Sequence, residues 1–191
     1  MLVQNNGFDI NNFKVPAFTL SKGEMVRFWV EVVPQSETDI NVYWEPKKMI
    51  EKIQINHSGK EVIKICPLRV KRSLFDFIKP ITLGSFLENE FKLSPEAVKG
   101  KLSYLGLKPD IRIKDLGAAH QKMFAIISEF QKSSIVSFDY YGLAHDSEEQ
   151  LTAYVKSELE EGKSAISFDN LYYKSNTPDF ERIQNVDIKR K

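Results

Sequence analysis

The strongest constraint lies in the last part of the chain, where helical and strand-like apolar spacings alternate. From Leu116 to Gln131 the apolar set Leu116, Met123, Phe124, Ile127 and Phe130 recurs at helical spacing. Ile135-Val136-Ser137-Phe138 is then a short β-prone run that delivers Asp139 to its end. Ser147, with Gln150 in the capping-box position, is expected to cap a further helix lined by Leu151, Tyr154, Val155 and Leu159. Gly162 closes it, and Ala165-Ile166-Ser167-Phe168 resumes a strand. Helix, strand, helix, strand implies a parallel βαβ unit. In such sheets ligands gather at the carboxyl ends of the strands, and both Asp139 and Asp169 fall at such ends.

The first third reads differently. Phe13–Leu20 and Met25–Val33 have strand character, with a turn at Ser21-Lys22-Gly23-Glu24 between them. Asn41–Trp44, Ile53–Asn56 and Glu61–Ile65 are shorter strand candidates, the last two joined by a His57-Ser58-Gly59-Lys60 turn. After Pro67 the pattern turns helical. Thr82–Phe91 carries Leu83, Phe86, Leu87 and Phe91 on one face. Ser94 and Pro95 then open a helix with Val98, Leu102 and Leu105 inward, and Gly106 ends it. The 191 residues therefore form a single domain, with a β-rich part over 1–66, a helical subdomain over 67–115 and a βα core over 116–191.

A formal net charge of +1 gives no bulk electrostatic case for nucleic acid or an anionic membrane, so no nucleic-acid partner is expected. The basic Lys189-Arg190-Lys191 reads as a solvated tail. One cysteine, Cys66, excludes an internal disulfide and reads as a small buried hydrophobe. No apolar run approaches a membrane span and no leader pattern opens the chain, which points to the cytoplasm, with any membrane association through a partner. His57, His120 and His145 have no metal-ligand spacing, so no metal site is expected.

The order of motifs resembles the ATP-binding cassette (ABC) ATPase domain, a fold with a parallel P-loop-type sheet, an antiparallel β part and a small helical subdomain. Phe18-Thr19-Leu20-Ser21-Lys22-Gly23-Glu24 is similar to the strand and turn leading to that family's phosphate loop. Ile63–Leu68 is similar to the strand entering the Q-loop, and Leu74-Phe75 through Ile81-Thr82-Leu83 to the entry of the helical subdomain. Asp115–Ile126 aligns with the signature motif and its helix, Ile135–Asp139 with the Walker B strand, Gly142-Leu143 with the start of the D-loop, and Gly162–Asp169 with the strand that ends at the switch histidine.

The resemblance fails where ATP would be handled. A phosphate loop needs glycines, so that backbone N–H groups approach the phosphates, and a lysine to meet the outer ones. Here there is no glycine between Gly23 and Gly59 and no lysine between Lys22 and Lys47; in one register Glu37 precedes Thr38 where Lys-Thr belongs, and Pro34 removes a donor. Leu68 stands at the Q-loop glutamine, and Gly117 with Ala118 and Ala119 at the signature Ser-Gly-Gly. Tyr140 stands at the catalytic glutamate, Ala144 (with Asp146 near it) at the D-loop aspartate, and Phe168 at the switch histidine. A phenol of pKa near ~10 is a poor base at neutral pH. Asp139 is retained, as half of a magnesium site.

The resemblance implies a non-hydrolytic ABC ATPase-like protein serving as a binding or regulatory module, with no cofactor and against ATP and magnesium. Its implied partners are a transporter subunit, an intact ABC ATPase or a second copy, with Pro67, Leu74, Phe75 and Phe86 on the contacting surface and no direct membrane insertion. Two other readings stay open: half of a composite ATP site with an active ABC ATPase, and an unrelated α/β enzyme. Trp29 with Phe28 is assigned to the core. Two aromatic pairs, Tyr140-Tyr141 and Tyr172-Tyr173, follow neighbouring strands; they either plug the vacated pocket or form a protein-binding surface.

Overall fold

The computed structural model describes residues 1–31, 45–56, 61–70, 81–176 and 180–191. It divides into two compact units. One contains Met1–Ile65, Ser134–Tyr141 and Glu158–Lys191; the other contains Cys66–Ser133 and Gly142–Ser157.

The first unit holds every strand found among the described residues. β1 (Val3–Asn5) pairs antiparallel with β4 (Phe18–Leu20) as a separate ribbon. β2 (Phe8–Ile10), β3 (Phe13–Val15), β5 (Met25–Val30), β6 (Lys64–Ile65), β7 (Ile135–Asp139), β8 (Ser164–Asn170) and β9 (Ile183–Arg190) form one sheet in the order β2-β3-β9-β5-β8-β7-β6. From β9 to β6 it is parallel; β2 and β3 extend it antiparallel. All six residues of β5 are buried, as a strand covered on both faces must be. On one face Val26, Phe28 and Val30 join Ile166, Phe168, Val186 and Ile188 in the core. Helix α1 (Glu45–Asn56) covers that face with Met49, Ile50 and Ile53.

Two expectations change here, and a third cannot be compared. Ile53–Asn56 is not a strand: it is the last turn of α1, because burial of Met49, Ile50 and Ile53 at helical spacing outweighs the local β preference of isoleucine. Asn41–Trp44 lies outside the described residues. The basic end is not a solvated tail. Lys189 and Arg190 pair with Lys14 and Phe13, and Lys191 meets Asp9 at 2.7 Å. β9 owes its place to buried Val186 and Ile188, an alternation short enough to be overlooked beside the charges.

The second unit is helical. In α2 (Leu83–Phe91), Thr82 caps through a reciprocal box with Ser85. Gly84 lies so close to Pro109 that a Cβ would come within 2.8 Å of the proline Cβ. α3 (Pro95–Ser103) starts at Ser94 and Pro95 as expected. α4 (Ala118–Lys132) buries Met123, Phe124, Ile127 and Phe130, with Phe124 against Phe86 at 5.6 Å between ring centres. α5 (His145–Glu160) begins earlier than Ser147: the Glu148 N–H donates to the Ala144 carbonyl at 2.9 Å, so Ser147 sits inside the first turn rather than capping it. Tyr154 lies edge-on to Phe130 at 5.9 Å, both within this unit.

Candidate functional site

The connections from β5 and β8 leave the sheet in opposite directions. β5 leads by α1 towards β6, and β8 leads through a 3-10 turn at Leu171–Asn176 to β9 on the other side of β5. Neighbouring strands that part in this way leave a crevice at their carboxyl ends. The residues there are Val30 at the end of β5 and Glu31 after it, Asp169 and Asn170 at the end of β8, and Asp139, Tyr140 and Tyr141 at the end of β7.

Strand alternation divides these side chains between two faces. Phe168 belongs to the α1 side, where it stacks on Phe28 at 5.4 Å; Tyr141 packs against that same core. Asp139 shares the parity of Ile135 and Tyr141 on β7 and is half-buried. Its Oδ1 accepts the Tyr141 N–H at 3.1 Å, a turn that Gly142 completes at φ 77°. Burial raises the Tyr141 phenol well above its ordinary pKa, and the carboxylates of Asp139 and Asp169 push it further the same way.

Tyr140 goes to the other face. Its backbone N–H donates to the Phe168 carbonyl at 2.9 Å, and its ring is buried edge-on to Phe138. The Arg27 guanidinium lies over that ring at 4.1 Å and over the Trp29 ring at 4.3 Å. Arg27 also donates to the Asp169 carboxylate, with both side chains at most 5% exposed. Asp169 Oδ1 accepts the Asn170 N–H at 2.7 Å, and Trp29 Nε1 donates to Asn185 at 2.8 Å. A buried arginine, ion-paired and lying over two aromatic rings, is the strongest charged feature of this sheet end. Sequence reading placed Asp169 at the strand end but missed Arg27. The signal was present, since Arg27 is the one charge in Met25-Val26-Arg27-Phe28-Trp29-Val30.

Of the sequence-derived site residues, Asp139, Tyr140 and Phe168 are brought together, with Asp139 and Phe168 as register partners. Glu37 and Thr38, like Leu74 and Phe75, lie outside the described residues. Leu68 and Gly117 belong to the helical unit. Leu68 is 72% exposed just beyond β6. Gly117 is exposed and precedes α4 without a side-chain cap, followed by Ala118 and Ala119 in the first turn. Ala144 and Asp146 are exposed around the start of α5. Pro67 is half-buried, its carbonyl accepting from Cys66 Sγ at 3.5 Å, and Cys66 is half-buried rather than a core side chain. Phe86 is half-buried against Phe91 and Phe124. The tyrosine pairs separate: Tyr140 is core, whereas Tyr172 and Tyr173, edge to face at 5.2 Å, are 78% and 51% exposed. They do not plug the crevice together.

His120 is half-buried, and His145 is exposed beside Glu149 at 3.5 Å. Among the described residues no group of three metal-ligating side chains converges, and no helix is long and apolar enough to cross a membrane. No family model matches this sequence, and no curated protein matches it.

The solved structures give the fold. An ATP-binding protein described as a putative ABC transporter, from Pyrococcus furiosus, superposes with a TM-score of 0.60 at 12% identity, covering 97% of this chain and 96% of that one. A nucleotide-free ATP-binding cassette from an ABC transporter gives 0.55 at 13% identity over 96% and 88%. A cassette solved as a post-hydrolysis dimer bound to ADP and Pi gives 0.50 at 12% over 88% and 87%. The chain thus has the ABC ATPase fold, α/β with a mostly parallel P-loop-type sheet. This corrects one expectation. A reading with no cofactor, against ATP and magnesium, does not stand beside neighbours that are ATP-binding cassettes, one of them holding ADP and Pi. It rested on the stretch after Val30, of which residues 32–44 lie outside those described, and on Leu68, Gly117, Tyr140 and Phe168 standing at the family's ATP-handling positions.

Proposed function

We propose that this chain is an ABC ATPase-fold module that holds a magnesium–nucleotide at the carboxyl ends of β5, β8 and β7 but does not hydrolyse it with its own residues, and that it acts through a protein partner. The supporting observation is the split of the β7 end: Asp139 stays on the α1 side, while Tyr140 is buried on the opposite face beneath Arg27. No carboxylate therefore follows Asp139 to polarise a water. Phe168, stacked in the core, provides no proton donor. When bound, magnesium would neutralise phosphate charge, and Asp139 is the residue here that would hold it.

Isothermal titration with Mg-ATP tests the binding half. Binding that weakens about 10–100-fold in Asp139→Ala is expected; no binding by the unaltered protein removes the nucleotide role. Phosphate release tests the other half, and steady turnover abolished by Asp139→Ala would overturn the non-hydrolytic assignment. The partner is a transporter subunit, an ABC ATPase or a second copy, reached through the surface around Pro67, Leu74, Phe75 and Phe86. Any membrane association is peripheral and runs through it.

A second reading has its own observation. The N-terminus of α4 is exposed at Gly117 and Ala118 and carries no side-chain cap, so its backbone donors and positive helix end are open to an anion. In a heterodimer this end would complete the nucleotide site of an active ABC ATPase. That partner's ATPase rate should then change as this protein is added, and an unchanged rate at saturation rejects the composite site.

A further inference from the structure

Away from the strand ends, Asn6-Gly7 is the one Asn-Gly step in the sequence and links β1 to β2. A glycine after asparagine adds no Cβ to screen its backbone nitrogen from the asparagine side-chain carbon. Asn6 is exposed. Gly7 cannot be exchanged freely: at φ 83° a Cβ would come within 2.8 Å of the Val15 carbonyl oxygen and 3.0 Å of the Ala17 nitrogen. The preceding Asn5 is 2% exposed, and its Oδ1 accepts the Gly7 N–H at 2.9 Å. Its Nδ2 is buried with no hydrogen-bond partner among the described residues, so the oxygen is the satisfied end of this core amide.

We propose that Asn6 is a site of spontaneous deamidation gated by Asn5. In that reaction the Gly7 N–H gives its proton to solvent base, and the Gly7 nitrogen bonds to Asn6 Cγ. The side-chain nitrogen takes up a solvent proton and leaves as ammonia. Water then opens the cyclic imide at either carbonyl, leaving aspartate or isoaspartate at position 6. While Asn5 Oδ1 accepts the Gly7 N–H, that nitrogen is kept protonated and the first step is held back. The rate therefore follows how often this hydrogen bond opens. Isoaspartate places one more carbon in the backbone, between the strand pairs Asn5–Phe18 and Phe8–Val15, and so loosens both. The proposal is independent of the nucleotide reading.

The test is ageing of the purified protein at neutral pH, followed by proteolysis and mass spectrometry that separates asparagine, aspartate and isoaspartate at position 6. Conversion should be slow in the folded protein and faster in urea. Folded Asn5→Leu should convert about two- to tenfold faster than the unaltered protein, the worth of one hydrogen bond. Hydrogen exchange in β5 should stay unchanged in that variant, which a general loss of stability would not allow. Protein carrying isoaspartate should exchange faster in Val3–Asn5 and Phe8–Ile10. No conversion at position 6 in urea overturns the site, and an unchanged rate in folded Asn5→Leu overturns the gate. Should Asn5→Leu fail to fold, the unaltered protein decides: equal conversion with and without urea overturns the gate, and conversion that rises with Gly7 N–H exchange as urea is added supports it.

Discussion

Arg27 and Tyr141 are the two residues at which burial sets the chemistry. An ion pair as buried as Arg27–Asp169 contributes little beyond well-packed apolar residues, but breaking it leaves a stranded charge. Arg27→Met is therefore expected to cost about 3–5 kcal/mol in denaturant unfolding, and Arg27→Met/Asp169→Leu to recover most of that loss. Equal losses in the single and double variants would show that stacking on Trp29 and Tyr140, rather than charge compensation, governs the site. Tyr141 gives a pH dependence. Its folded pKa lies above the unfolded value, through burial first and then through Asp139 and Asp169. The folded protein thus keeps a proton that the unfolded chain releases near pH ~10, so its stabilisation is complete below that pH and is lost as pH rises further. Stability should fall above about pH 10, and the fall should be shallower in Tyr141→Phe. Identical alkaline slopes would refute this.

At the scale of elements, the helical unit was the most legible part. Thr82, Ser94 and Pro95 carry explicit start signals, and the apolar spacing of α2, α3 and α4 leaves little choice of face. Its vulnerable point is Gly84, where the close approach to Pro109 was invisible because no local pattern records it. Gly84→Ala should destabilise by about 1–3 kcal/mol through overpacking, whereas Gly100→Ala, with open space around it, should be neutral or slightly stabilising. Chemical denaturation of the two variants would decide. The misread elements share a cause. α1 and β9 take their form from what they cover and pair with, so Ile53 looked like a strand residue and Lys189-Arg190-Lys191 like a tail. The site shows the same division. Asp139, Tyr140 and Phe168 were readable because strand ends are, but the partner that Tyr140 meets, the buried Arg27 over its ring, was not.

For the sheet as a whole, β9 is the joining strand. It pairs with β5 along Ile183–Ile188 and with β3 through Lys189 and Arg190, so among the described residues it is the strand that connects the antiparallel β2–β3 part to the parallel part. It also contributes Val186 and Ile188 to the core that Phe28, Phe168 and α1 share. Two truncations should separate these roles. Ending the chain after Ile188 removes the pairing to β3 and the Lys191–Asp9 ion pair but leaves β5 flanked on both sides. Circular dichroism should then report a folded protein, with increased hydrogen exchange confined to Phe8–Val15. Ending it after Arg182 strips β5 of one neighbour and exposes Val26, Phe28 and Val30, an apolar strand edge of the kind that aggregates. That protein should not fold to a soluble state. If it does, with native-like unfolding, the sheet is held by β5, β8 and β7 without β9, and the basic end has no structural role.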